Sequence, residues 1–443
     1  MEDIQSQFTF KQGANKPLLL WCSSHTTLSH EEIPLYLQAG FRIIPLLTDM
    51  WTFGVRKSLD SELCGDWKFT VGLPADIVRR IQAIPIYENS GVNPISSADI
   101  DLLNKYVDIA YLTVLPNLAV RLTECFNGSV VFRPFGHGVL NTYSRIAKDL
   151  GADISTLSTS NKYVWCPILS TLQDAEEPPM WSNPVHVGCF VTPSRLVSEP
   201  WVAKNTKRLV VETIPRINKQ TYYLDIFRKY ASDFGKLPIR ILGGNEVSGG
   251  KLQDTRIVGT LNDEEYYREI STARISIYHG TSPFHLHYHP LEYMTVGVPV
   301  LFHVDSAIAA ETRAFGLSEA ELKELGMYRT APEAVRLARA ALDDIAIADD
   351  LSQRQKFIMR EVYSRDKVLQ QARWLRVVCT SQIKSLNKIP DTIKISETIQ
   401  PEISTPAAIV KPWYRRMHKE IKRVAKKLRT TRTTEQDHFT KAA

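Results

Sequence analysis

The chain has 443 residues, enough for two or three domains, or two if they are large α/β units, and its 44% hydrophobic and 23% charged residues are ordinary for a packed soluble protein. Those proportions exclude a collagen-like, low-complexity or wholly disordered chain. The formal charge is +6, but ten Lys/Arg and the single Glu420 fall between Lys411 and Arg432, so the remainder is slightly acidic. The body is therefore not read as a generic nucleic-acid binder, and no specific nucleic acid is expected as a partner.

The N-terminal MEDIQSQF is acidic and polar, unlike a secretory leader. Pro17–Cys22 is the longest early apolar run, well short of the ~20 residues a membrane span needs. Six scattered cysteines without a CxxC pair suggest neither a disulfide framework nor a thiolate metal site, and a cytoplasmic protein is expected.

In chain order, Pro17–Trp21 reads as a buried strand. Ser29 opens a capping-box pattern with Glu32, and the helix it starts runs to Gly40. Phe41–Leu47 is the next strand, Asp76–Ala83 a helix and Ile84–Tyr87 a short strand. Ser96–Asp99 caps a helix running to Lys105. Asp108–Val114 and Ser129–Arg133 are strands around a helix at Leu118–Cys125. Continuous apolar strands alternating with helices imply a parallel sheet covered on both faces. Residues 152–205 are less regular and read as a crossover.

The alternation then restarts. Lys207–Thr213, Pro238–Leu242, Thr255–Gly259, Arg274–Tyr278 and Val298–Phe302 are strands. Thr221–Ser232, Asp263–Ser271 and Pro290–Thr295 are the helices between them, and Gly297 ends the last. Helical patterns continue from Ser318 to about Ser381. The expected fold is α/β, with two Rossmann-like doubly wound domains facing a cleft. The expected domains are 1–185 and 186–362, followed by a helix over 363–387 that packs back on the first domain. A linker over 388–410 and a basic tail over 411–443 complete the chain.

Ligands of such sheets bind beyond the carboxyl ends of the strands, where helix N-termini present free amides to anions. Three loops of the second half fit. Pro215-Arg216-Ile217-Asn218-Lys219 supplies two cations, Gly243-Gly244-Asn245 allows close backbone approach, and Thr281–Pro290 leads into the helix bearing Glu292.

The run Pro290-Leu291-Glu292-Tyr293-Met294-Thr295-Val296-Gly297-Val298-Pro299-Val300 resembles the "P-L-E-A-M-A-x-G-x-P-V" stretch of GT-B glycosyltransferases, especially the retaining family 4. Several residues are implicated by that resemblance. Glu292 matches the second Glu of an E-x7-E pair and would contact the donor ribose, with Leu291 beside it. Lys219 and Arg216 would hold the donor diphosphate, Gly243 and Gly244 would form its glycine loop, and His285 would belong to the donor loop. His137, in Arg133-Pro134-Phe135-Gly136-His137-Gly138, is the candidate catalytic histidine of the first domain, and His25 the candidate acceptor contact.

The resemblance further implies transfer of a sugar from a nucleoside diphosphate sugar to an acceptor hydroxyl, with anomer retention, and no cofactor. Developing charge on the leaving diphosphate would be met by Arg, Lys and helix amides. Phe284 stands where the first Glu of the pair is expected. That difference keeps two alternatives open: a catalytically silent GT-B-like binding protein, and a nucleotide-sugar isomerase. His285, His287 and His289 alternate and could share one face with His279 nearby, yet Pro290 follows at once, so they are read as loop residues and no metal site is expected.

In the tail, Trp413, Met417, Ile421, Val424 and Leu428 fall on one helical face opposite Lys and Arg. This basic amphipathic C-terminal helix would rest on an anionic membrane surface through residues 411–432. A glycan or lipid-linked acceptor made at the inner leaflet is the expectation that follows.

Overall fold

The computed structural model describes residues 16–23, 26–47, 71–86, 95–137, 142–192, 201–217, 221–244 and 254–387. The linker over 388–410 and the basic tail lie outside them, as do Lys219 and His25.

The first half contains β1 (Leu18–Ser23), α1 (Thr26–Gln38), β2 (Arg42–Leu47), α2 (Ala75–Gln82) and α3 (Ser97–Tyr106). It continues through β3 (Ile109–Leu112), α4 (Pro116–Cys125), β4 (Ser129–Phe132), α5 (Tyr143–Asp149), α6 (Ser155–Thr159) and β5 (Tyr163–Trp165). The strands pair in parallel in the order β2-β1-β3-β4-β5. Both faces of this sheet are covered, which is why β1 is apolar from Leu18 to Cys22. Leu18, Leu20 and Cys22 enter one core cluster, and Leu19 and Trp21 enter another on the opposite face.

The second half contains β6 (Lys207–Thr213), α7 (Thr221–Phe234), β7 (Ile239–Leu242), β8 (Ile257–Gly259), α8 (Asp263–Thr272) and β9 (Ala273–Ile277). It continues with α9 (His289–Val296), β10 (Val300–His303), α10 (Ala307–Ala314), α11 (Glu319–Glu324), β11 (Met327–Tyr328), α12 (Ala331–Asp343) and α13 (Ile345–Phe357). The strands again run parallel, in the order β11-β10-β9-β6-β7-β8. Counting from β6, this is the 3-2-1-4-5-6 order of dinucleotide-binding sheets, with its topological switch point between β6 and β9.

The last described helix, α14 (Arg365–Asn387), follows the second half in sequence but packs on the first sheet. Leu369, Ala372, Leu375 and Cys379 join the cluster of Trp21, Tyr36 and Tyr111. The Ser129 hydroxyl donates to Gln382 Oε1 at 2.9 Å, and Arg365 donates to Gln38 Oε1 at 2.7 Å.

Three local expectations are corrected. The helix after β1 starts at Thr26, and Ser29 lies inside it, accepting a hydrogen bond from Trp21 Nε1 at 3.1 Å. Glu32 does not return to a cap. It is buried and paired with Arg133. Ile84–Ile86 form a turn in place of a strand. The irregular crossover contains an edge strand, β5, which extends the first sheet. Where the sequence carried stronger signals the structure follows them. Ser96 caps α3 through the Asp99 amide, and Gly297 ends α9 with φ +108°, a conformation glycine adopts at low cost.

The described cysteines are free, and all but Cys125 are buried. Among the described residues no helix is long and apolar enough to cross a membrane.

Candidate functional site

The carboxyl ends of β6 and β9 and the start of α9 meet at the switch point of the second sheet. β6 arrives as VVET, with Glu212 fully buried. The chain then turns through Arg216, whose φ is +55°. The Arg216–Ile217 turn lies against the glycine loop, and a Cβ on Gly244 would stand 2.6 Å from the Ile217 nitrogen and 2.9 Å from that of Arg216. With φ +64° as well, position 244 requires glycine on two counts. Gly243 donates its N–H to the Gly259 carbonyl at 2.9 Å, which fixes the loop to the end of β8. Burial pulls the Arg216 guanidinium down to about 10, against the opposing influence of Tyr223, and it remains a cation at neutral pH.

α9 carries Pro290 in its first turn, where the missing N–H costs nothing. Glu292 sits in the same turn and is 4% exposed. Tyr266 donates its hydroxyl to Glu292 Oε2 at 3.1 Å. Leu291 points into the core and is fully buried, so its side chain packs the helix.

The first half reaches this region through the loop after β4. Gly136 bridges His285 in antiparallel fashion, and the His137 N–H donates to the Phe284 carbonyl at 2.8 Å. His285 Nδ1 donates to the His137 carbonyl at 2.9 Å. Phe284, at the position where a carboxylate was expected, places its ring 5.6 Å from that of His137. Beside this contact Thr171 donates to the Pro283 carbonyl, and Ser170 donates through both its amide and its hydroxyl to Glu311 on α10.

His137 is held from behind. Its Nε2 lies 2.6 Å from Glu176 Oε1, and Glu176 also accepts from the amides of Tyr143 and Ser144 and from the Ser144 hydroxyl. Burial acts to raise the Glu176 carboxyl, but His137, Ser144 and the amides more than offset it and hold it below the usual range. With Nε2 committed to an ionised carboxylate, Nδ1 is the ring nitrogen left for other chemistry.

Sequence reading missed one set of residues. Glu212 Oε1 lies 2.5 Å from His279 Nδ1 and 2.9 Å from His289 Nε2. Its other oxygen accepts from the Ser276 hydroxyl at 3.2 Å. The alternating histidines do not act together. His285 turns to His137, His287 bonds Tyr278 through Nδ1 at 3.0 Å, and only His289 reaches the carboxylate. The one local oddity was a carboxylate in the buried end of β6, and nothing near it in sequence names its partners. Of the expected donor residues, the structure brings Arg216 and Gly243–Gly244 side by side on the neighbouring loops after β6 and β7. Glu292 stands at the start of α9, and His285 and His137 meet each other.

The chain matches no protein-family model and no curated protein. Solved structures do resemble it. HepE from Anabaena, in complex with UDP and glucose, is 10% identical with a TM-score of 0.53, covering 80% of this chain and 98% of that one. The same protein with UDP-glucose gives 11%, 0.53, 81% and 98%. A glycosyltransferase from Rickettsia africae is 11% identical over 84% of this chain and 99% of that one, with a TM-score of 0.48. The likeness to HepE shows the fold: two Rossmann-like parallel-sheet domains of the GT-B type.

Proposed function

We propose that this chain is a glycosyltransferase that moves a sugar from a nucleoside diphosphate sugar to an acceptor hydroxyl. The observation that carries this reading is Glu292, buried in the first turn of the helix that follows the switch point of a 3-2-1-4-5-6 sheet. A carboxylate there can accept from two ribose hydroxyls. HepE, of the same fold, binds UDP-glucose in its own structure.

The chemistry follows from the groups present. The bond between the anomeric carbon and the diphosphate oxygen breaks, and negative charge grows on the diphosphate. Arg216, the α7 N-terminus and Lys219 would stabilise that charge, and the Gly243–Gly244 loop would let backbone approach it. His137, with Glu176 orienting it, would meet the acceptor hydroxyl through Nδ1. His25 would contact the acceptor. Retention of the anomer, a role in glycan or glycolipid synthesis, and a cytoplasmic position on the inner membrane surface through residues 411–432 belong to the same reading. A silent binding protein is the second reading, favoured by the Phe284 ring packed against His137.

Release of free nucleoside diphosphate from a panel of nucleotide sugars separates the two readings. Turnover supports transfer. Nucleotide binding without release from any donor favours the silent protein, and no thermal shift with UDP or GDP defeats both. Glu292→Ala is expected to weaken nucleotide binding about tenfold, or ~1.4 kcal/mol. Unchanged affinity would remove the ribose contact. Deleting 411–443 is expected to abolish binding to anionic liposomes.

A further inference from the structure

We propose that Glu212, His279 and His289 form a binding site for one divalent transition-metal ion of the zinc class. The three residues come from three elements that converge at one point: the end of β6, the exit of β9 and the first residue of α9. One ligand atom from each lies within 4.8 Å of the others. The side chains of all three are almost wholly withdrawn from solvent, with Glu212 at 0%, His279 at 3% and His289 at 7%.

Two imidazoles and one carboxylate are the ligand types that zinc, cobalt and nickel prefer, whereas magnesium and calcium prefer oxygen alone. At metal–ligand distances of about 2.0–2.2 Å the ligand atoms of a tetrahedral site stand about 3.2–3.6 Å apart. The observed contacts of 2.5 and 2.9 Å, within a triangle no wider than 4.8 Å, need only small side-chain movements to reach that spacing. The surroundings are those of a ligand set. Ser276 fixes the second carboxylate oxygen. The His279 and His289 rings are stacked at 19° with centroids 5.4 Å apart. Among the described residues the buried His279 Nε2 has no hydrogen-bond partner, so the ring is not fully satisfied by the protein groups around it.

Three protein ligands leave a fourth position for water or a substrate oxygen, the pattern of metal sites that take part in binding or chemistry. The site is formed by side chains at the strand ends and stands whether or not the chain transfers a sugar.

The test uses the full chain, stripped with a chelator and desalted, then titrated with Co2+. One equivalent is expected to give visible ligand-field bands without strong sulfur charge transfer, displaced by Zn2+ and untouched by Mg2+. Glu212→Gln and His289→Gln should each weaken Co2+ binding by about 100-fold. His303→Gln, which removes an imidazole beside Asp305 elsewhere, should leave it unchanged. If either site variant fails to fold, the wild-type titration and a Zn2+-dependent rise in melting temperature still decide the matter. The proposal is overturned if the folded wild-type chain binds no stoichiometric Co2+. It is equally overturned if a folded H279Q/H289Q double variant binds Co2+ as tightly as wild type.

Discussion

Each sheet buries a glutamate beside its central strands, and the two are held by different means. In the first half Glu32 on α1 faces Arg133, which leaves β4 fully buried. The guanidinium is saturated: it donates to Glu32, to the Cys166 and Gly188 carbonyls at 3.2 and 3.1 Å, and to the Val187 carbonyl. Tyr111 donates to the other Glu32 oxygen at 2.8 Å. In the second half Glu212 faces two imidazoles. Burial acts to raise its carboxyl, but His289 and His279 more than offset it and hold it below the ordinary value. A guanidinium fork is permanent and has no lone pair to give, so the first cluster can only hold the fold. Imidazoles can exchange a proton or a metal, so the second cluster can also act. A third buried carboxylate, Glu311, meets only neutral donors, from Ser170 and Thr171, among the described residues, and burial pushes it up to about 7.

Breaking the permanent pair should cost most. Arg133→Met leaves Glu32 buried without its cation and should destabilise the chain by about 3–5 kcal/mol in chemical denaturation. A loss under 1 kcal/mol would mean that Glu32 finds water or another partner. Glu311→Gln comes next, with a pH signature. Below pH 4.5 the carboxyl is protonated folded and unfolded alike. Between 4.5 and about 7 the unfolded chain ionises first, so native stability falls as pH rises, by about 3 kcal/mol in all. The amide should remove that slope and make the variant the more stable form at pH 8. An unchanged slope would show that Glu311 ionises normally when folded. The smallest effect is expected at the exchangeable cluster. In chelator, Glu212→Gln should cost about 1–2 kcal/mol, because the imidazole N–H groups can still donate to the amide oxygen. A loss equal to that of Arg133→Met would erase the contrast between the two halves.

Much of the scaffold was legible in the sequence, because continuous apolar strands and capped helices are local signals. β6 lies over the residues the pattern marked, and α8 and α9 differ from expectation by a residue or two at their ends. The misses have local causes. β5 and β11 have three and two residues, too short for any periodicity. The Ser29 pattern matched a cap, but the helix already starts at Thr26, and Trp21 took the serine hydroxyl for a tertiary bond. The loops bearing Arg216 and Gly243–Gly244 could be anticipated because glycines and cations after strands have a chemical meaning on their own. Glu212 could not, since its meaning depends on His279 and His289, 67 and 77 residues away. The donor-side reading rested on the residue register around Glu292, which no count of helical faces would supply.

The return of α14 to the first sheet has a mechanical consequence. The described first half ends at Thr192, the second opens at Trp201, and α14 lies back on the first sheet from Arg365. With α14 packed on the first sheet, the second half is enclosed in sequence by segments of the first, so a shift of one half against the other has to be accommodated both where the chain enters the second half and where it leaves it.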